Sequence, residues 1–471
     1  MSHVRDHESV KIIERCQVSP PQNSIPTTSI PISFLDIPWL YISPIQRIFF
    51  HEFPFPTQTF LQTLIPKLKH SLSITLQHFI PFASNLVYPP KPHFPYFLYQ
   101  DGDSIPFTIA ESTTNFDHLI SDSPKHVTDL HPFVPTLFSP HTSEDGTRYI
   151  PLMAIQVTIL PNNGFALCVS FHHVVGDGRA FHHFMKFWSS LCSKNGDSTS
   201  LEASVPLPFH NRDIIQDPKG LLKLKMMENM WNSPTPSKEF AVVYTDMVRA
   251  TFVLNPDQIE RLKKWVIAKC SNSDHFKTLH ISTFVVTSSL IWVCFVRSEE
   301  IIGYDVPNDD ELYHLIFLAD CRNHHEVSIP STYFGNCLGY RTVTMKRSEL
   351  VGNNAIVEAV RAIECQVRDV QSDPFKGLDT MTPEHEGRVV SGHGVVIASS
   401  PKQGVYETNF GSGKPKMTEV VHIDSSKSIA FSDCRDNEGG VEVGLALGRI
   451  QMNNFTSIMK KYLSDITNLN H

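Results

Sequence analysis

A histidine four residues ahead of an aspartate, with a glycine on each side of the aspartate, is the arrangement in this chain best suited to proton transfer: His173-Val174-Val175-Gly176-Asp177-Gly178. An imidazole with an ordinary pKa near ~6.5 can take the proton of an attacking alcohol at neutral pH. No covalent nucleophile is then required, provided both substrates bind together. Among 24 histidines the spacing itself is common; its weight comes from position, since a strand ends at His173 and a helix begins at Asp177. Asp177 reads as a helix N-cap and arginine partner rather than a proton carrier. Cys168 offers a covalent rival with a histidine base, but its offset from His173 sets the two side chains on opposite faces of a strand. His172, His182 and His183 lack ligand spacing, so no metal is expected.

A second stretch, Tyr406-Glu407-Thr408-Asn409-Phe410-Gly411-Ser412-Gly413-Lys414-Pro415, flanks a serine with glycines. A Walker loop would need glycine at 408 and Ser or Thr after the lysine, and a dinucleotide fingerprint a third glycine at 416. By itself the stretch is a tight turn. The formal net charge of −8 provides no general attraction for nucleic acid or an anionic membrane, so an anionic ligand must find local cations. Lys402, Lys414 and Lys416 flank the turn; a solvated lysine-rich turn is the equal alternative. Arg179, two residues past Asp177, could hold a carboxylate in bidentate fashion, or be an ordinary first-turn residue.

The elements that would position these groups are legible as periodicities. Leu61, Leu64, Ile65, Leu68 and Leu72, continuing to Leu76 and Phe79, predict one amphipathic helix, with Pro66 either kinking it or marking its first turn. Ile155–Leu160 and Phe165–Phe171 predict a hairpin about Pro161-Asn162-Asn163-Gly164. Phe181, Phe184, Met185, Trp188, Leu191 and Cys192 form a helical stripe capped by Asp177. From Ser193 to about Ser237 the chain is polar and proline-punctuated, with a short helix over Leu221–Met230, and a second unit starts near Val242. Asn255-Pro256 opens another helix, and Asn353–Val370 is helical. Leu315–Leu318, Val395–Ala398 and Val441–Leu447 are strand-like. Phe284–Val296 is the most apolar window, too short to span a bilayer and so a buried core helix. The expected division is residues 1–195, a crossover at 196–240, and 241–471.

With 41% hydrophobic residues the chain can bury a large core. Nine cysteines without a C-x-x-C pair fit a reducing compartment. The first thirty residues lack a secretory apolar run, and the last carry no peroxisomal or prenylation signal, so a cytoplasmic location is expected.

Taken together, the two motifs resemble the plant BAHD acyltransferases, whose markers are His-x-x-x-Asp-Gly and a late Asp-Phe-Gly-Trp-Gly. Further matches are Ser33-Phe34-Leu35-Asp36, Leu68-Lys69-His70-Ser71-Leu72, Val248-Arg249-Ala250-Thr251-Phe252, Asp320-Cys321-Arg322 and Tyr333-Phe334-Gly335-Asn336-Cys337. The last looks like the branch that acylates phenolic glucosides and anthocyanins, often with malonyl-CoA. The resemblance implies an α/β monomer of two similar-sized mixed-sheet domains, chloramphenicol acetyltransferase-like, with a channel between them and His173 midway. It implies acyl-CoA as co-substrate, no tightly bound cofactor, a phenolic glycoside as acceptor, and acyl-CoA contacts from Arg179, Lys402, Ser412 and Lys414. Asp177, Gly178, Asn409, Gly411, Gly413 and Arg322 would be structural, with Arg322 pairing to the late motif.

The late motif departs from the pattern at Asn409 and Ser412. Asn409 keeps an acceptor, so the expected cost is below the ~3–5 kcal/mol of baring a buried partner. The expectation is acyl transfer, with malonyl as the acyl group, to a sugar hydroxyl. The alternatives are a hydroxycinnamoyl donor, or a catalytically impaired binding protein on the same fold.

Overall fold

The computed structural model describes residues 10–194, 196, 205–217, 221–232, 246–270, 280–299, 308–322, 324, 328–378, 393–425 and 427–468. The expected hairpin is present: Met153–Leu160 pairs antiparallel with Gly164–Phe171, and every residue of both strands is buried. Asn162 takes the left-handed conformation in its turn (φ 62°), which asparagine tolerates better than most residues.

These strands lie in a six-stranded sheet, in the order Val10–Val18, Ile105–Ser112, Met153–Leu160, Gly164–Phe171, Ile45–Glu52, Met417–Val420. Side chains alternate across it. Leu167, Val169 and Phe171 pack with the helices Thr57–His78 and Gly178–Ser193, while Ala166 and Cys168 pack on the other face with Leu119, Phe133 and Met417. The helix Thr57–His78 is continuous, so Pro66 stands in its interior rather than its first turn.

The second sheet has seven strands: Leu338–Lys346, Leu312–Asp320, His393–Ile397, Ser428–Asp433, Val441–Gly448, Met247–Leu254 and Lys125–His126. Its core includes the helices Pro256–Cys270, Thr283–Ser298 and Ala355–Ser372. Thr283–Ser298 is buried without a break from Val285 to Val296, as an apolar window walled by sheet and helices should be. Among the described residues no helix is long and apolar enough to cross a membrane.

Each half lends the other a strand: Met417–Val420 extends the first sheet, and Lys125–His126 the second. The junction is polar as well as paired. Arg249 of the second sheet is buried between Glu419 and Asp424, at 2.8 and 3.0 Å. A small sheet formed by Thr28–Pro31, Tyr96–Tyr99, Asn85–Tyr88, Arg148–Pro151 and His141–Thr142 flanks the first half. In the crossover the helix spans Leu222–Asn232; the start expected near Val242 falls outside the described residues. All nine cysteines are free thiols.

Candidate active site

Where the buried strand Gly164–Phe171 ends, the chain makes a short 3-10 turn, His173–Val175, before the helix Gly178–Ser193. Gly176 is required by packing: a Cβ there would collide with the Ala180 methyl of that helix's first turn. A Cβ on Gly178 would meet the amide of Gln403, the far end of a flexible side chain. The His173 ring lies flat on the indole of Trp39, centroids 3.8 Å apart and planes 11° from parallel. Its Nδ1 is inaccessible, so Nε2 is the nitrogen open to a ligand in the cavity that His173 lines. Burial pushes the imidazole below its usual range, while its own carbonyl, Asp177, Asn336 and Asp36 pull the other way. A neutral ring with one open nitrogen can accept a proton.

Asp177 is fully engaged elsewhere. Its Oδ1 accepts from Ala180 N, capping the helix, and from Arg322; its Oδ2 accepts from Cys337 N at 2.9 Å and from Arg322 at 2.8 Å. Arg322 also donates to Asp320 and to the carbonyls of Tyr333 and Gly335. Burial opposes its charge, and the carboxylates of Asp177 and Asp320 outweigh that and raise it.

A second buried charge holds the histidine turn itself. Asn336 donates through Nδ2 to the carbonyls of His173 (3.1 Å) and Val174 (3.2 Å) and to Asp36 Oδ1 (2.9 Å). Arg212 donates to the Val175 carbonyl (2.8 Å) and to Asp36 Oδ2 (3.0 Å). Asp36 is wholly buried and also accepts from Ser33. The turn is thus clamped by three segments distant in sequence.

One cavity of about 2210 Å³ is lined by both halves, and His173, Asp177, Gly178, Arg179, Arg322, Lys402 and Lys414 all border it. Arg179 is ion-paired to Asp320 at 2.9 Å. Lys416 is paired to Glu52 at 3.1 Å. Ser412 is not among the lining residues, and its Oγ is buried without a partner among the described residues, so the geometry gives it no contact with a cavity ligand.

The expected pairing of the late motif with Arg322 is also replaced. Asn409 Oδ1 accepts from the backbone N–H of Gly411 (2.9 Å) and Gly413 (3.0 Å), closing an exposed turn on itself. The physical reason is that the Asp177 carboxylate and two carbonyls already surround the Arg322 guanidinium. Gly411 and Gly413 have φ of 100° and 101° with nothing near a Cβ, so backbone torsion alone demands glycine. Cys168 is buried on the sheet face away from the helix Gly178–Ser193, and burial raises its thiol far above the range of a working nucleophile.

Sequence reasoning gave no role to Trp39, Arg212, Arg47 or His422. Arg47 and His422 both line the cavity. His422 Nδ1 accepts from Gln46 N, and burial together with His173 lowers its pKa to about 3. Asp36 and Asn336 stood in the quoted motifs without a function; polar residues inside apolar runs were the available signal.

A model described as the Transferase family matches residues 8–462. Coumaroyl-CoA:anthocyanidin 3-O-glucoside-6''-O-coumaroyltransferase 1 of Arabidopsis thaliana is 41% identical over 96% of this chain and 97% of its own. Malonyl-coenzyme A:anthocyanin 3-O-glucoside-6''-O-malonyltransferase of Dahlia pinnata is 32% identical, covering 96% of each. Among solved structures, vinorine synthase superposes with a TM-score of 0.69 at 17% identity, over 94% of this chain and 96% of that one. TRI101 of F. sporotrichioides, complexed with coenzyme A and T-2, gives 0.64 at 14%, over 91% and 97%. The last two likenesses bear on the fold alone. With a family model spanning nearly its length and relatives above 30% identity along the whole chain, the protein is an acyltransferase that belongs to the Transferase family, among the plant BAHD enzymes.

Proposed function

We propose that the protein moves an acyl group from an acyl-CoA thioester to a sugar hydroxyl of a phenolic or flavonoid glycoside, with His173 as general base. The observation that carries this is an imidazole braced on Trp39, its pKa lowered by burial, with one nitrogen open to a cavity that both halves line. Nε2 takes the hydroxyl proton as the oxygen attacks the thioester carbonyl. The tetrahedral intermediate then expels the coenzyme A thiolate, which the imidazolium can reprotonate. Asp177 and Arg322 hold the start of the helix and shuttle no proton. Lys402 and Lys414, exposed on the cavity rim, suit coenzyme A phosphates. The halves 1–195 and 241–471 act as one monomer in the cytoplasm, joined by the crossover 196–240.

For the acyl group we favour hydroxycinnamoyl over the malonyl expected from sequence. The relative named for coumaroyl transfer is the more similar of the two, and Phe171, Phe181, Phe284 and Phe317 give the cavity aromatic walls. Arg179, the expected malonyl clamp, is 39% exposed and already paired with Asp320. Malonyl remains the second reading because Arg179 borders the cavity and the Dahlia relative is named for it. The impaired-protein reading loses support, since Asn409 and Ser412 do not line the cavity.

Free-thiol release from coumaroyl-CoA and malonyl-CoA, each with anthocyanidin 3-O-glucosides, tests the proposal. His173→Ala should lower turnover by about 10²–10⁴-fold with the melting curve unmoved. Unchanged turnover in that variant would remove the general-base role. Turnover of the wild type should rise with pH through a midpoint below 6.5, because the base works deprotonated and burial lowers its pKa.

A further inference from the structure

The cavity holds a cation that the proton transfer does not use. Arg47 projects from the strand Ile45–Glu52 and is 5% exposed, yet among the described residues no carboxylate forms an ion pair with it. Burial opposes its charge, and Tyr406, Asp433 and Glu419 offset that only through space, without contact, so a buried guanidinium is left with donors to spare. Its NH1 donates to His182 Nε2 at 3.0 Å; because a guanidinium only donates, that nitrogen carries a lone pair, and His182 is neutral with its proton on Nδ1. Arg47 Nε has no hydrogen-bond partner among the described residues, and Arg47 borders a second cavity of about 10 Å³, room for roughly one water, beside Arg249 and Thr418. NH2 is the remaining edge, and Arg47 also lines the large cavity.

The surroundings say what that edge would meet. Phe171 and Phe181, stacked at 4.7 Å, line the same cavity as Arg47. Arg47, His173 and His422 line one cavity, and His422, which accepts from the N–H of Gln46 beside Arg47, feels the fields of both the other two, so the guanidinium stands in the neighbourhood of the reacting centre. A fixed donor beyond aromatic walls suits a flat acyl chain with an oxygen at its far end.

We propose that Arg47, steadied by His182, is a specificity-determining residue that donates to the phenolic oxygen of a 4-hydroxycinnamoyl donor. This rests on the acyltransferase reading above and on its aromatic donor. No bond is made or broken at Arg47; it selects and orients the acyl chain so that the thioester carbonyl sits at His173.

The test compares coumaroyl-CoA with cinnamoyl-CoA, which lacks only that hydroxyl, in the wild type and in Arg47→Met. Both calorimetric Kd and kcat/KM for thiol release are measured, with a melting curve for each variant. The wild type should favour coumaroyl-CoA by roughly tenfold to a hundredfold, since a site built for a hydroxyl rejects the analogue without it. Arg47→Met should erase that ratio while cinnamoyl transfer persists, and Arg47→Lys should restore part of it. Because the readout is a ratio within one variant, partial loss of fold does not mimic it. Equal wild-type affinity for the two donors, or an equal loss with both in Arg47→Met, would overturn the assignment. Thioester consumption absent with every donor would instead sink the acyltransferase reading, and the two Kd values would still judge Arg47.

Discussion

The two family motifs are held in opposite ways. Around His173 the backbone carbonyls of residues 173 to 175 are gripped by Asn336 and Arg212, and both of those are tied to a wholly buried Asp36. Around Gly411 and Gly413 one exposed asparagine side chain closes the turn, and the distant contacts it receives are neutral: His51 Nδ1 lies 3.3 Å from the Gly413 carbonyl, Cys192 Sγ donates to the Phe410 carbonyl, and Phe410 packs edge-on to Trp188. The difference explains why the second motif has departed from its usual residues while the first has not. A carboxamide oxygen accepts two backbone N–H groups as well as a carboxylate oxygen does, so Asn409 leaves nothing bare. Removing any charge from the first site would strand its partner in the interior.

That contrast can be broken most sharply at Asp36. Asp36→Ala strips Arg212 of its only carboxylate among the described residues and should cost about 3–5 kcal/mol, with acyl transfer lost, as read by urea unfolding and thiol release. A loss below about 1 kcal/mol would mean the clamp is decorative. Acid comes next. His172 and His210 are lowered to about 4 and His422 to about 3, each chiefly by burial. Their folded values lie below the unfolded value near ~6.5, so stability is complete above pH 6.5 and falls as pH drops toward 4, by up to about 1.4 kcal/mol per pH unit for each ring. Urea midpoints between pH 7 and 4.5 measure the slope; a flat profile would place these rings in contact with water.

The late motif should respond weakly. Asn409→Ala removes two hydrogen bonds from an exposed turn and should cost about 1 kcal/mol, with kcat/KM changing less than for Asp36→Ala. Ser412→Ala is smallest, within about 0.5 kcal/mol of the wild type or slightly favourable, because its buried Oγ has no partner to lose. A large loss in either variant would show that this turn reaches the cavity after all.

What could be read in the sequence follows the range of the interaction. The helix capped by Asp177, the hairpin ending before His173 and the core helix at Phe284 were legible because 3.6- and 2-residue periods are local. The sequence implies an arginine partner for Asp177 but gives Arg322 to the late motif instead, since composition carries no geometry for a contact across 145 positions. Trp39 was invisible for the same reason: one indole has no period, and its role exists only once residues 39 and 173 are stacked. The strand Met417–Val420 is four residues long, too short to announce which sheet it joins.

That short strand has a consequence for how the molecule could be taken apart. It and the pair Lys125–His126 act as two clasps running in opposite directions, each fastened into the other half's sheet. A protease that severed the polar crossover would cut the covalent thread and leave both clasps shut. Two fragments would then migrate apart under denaturant yet travel together without it, still sharing the cleft between them.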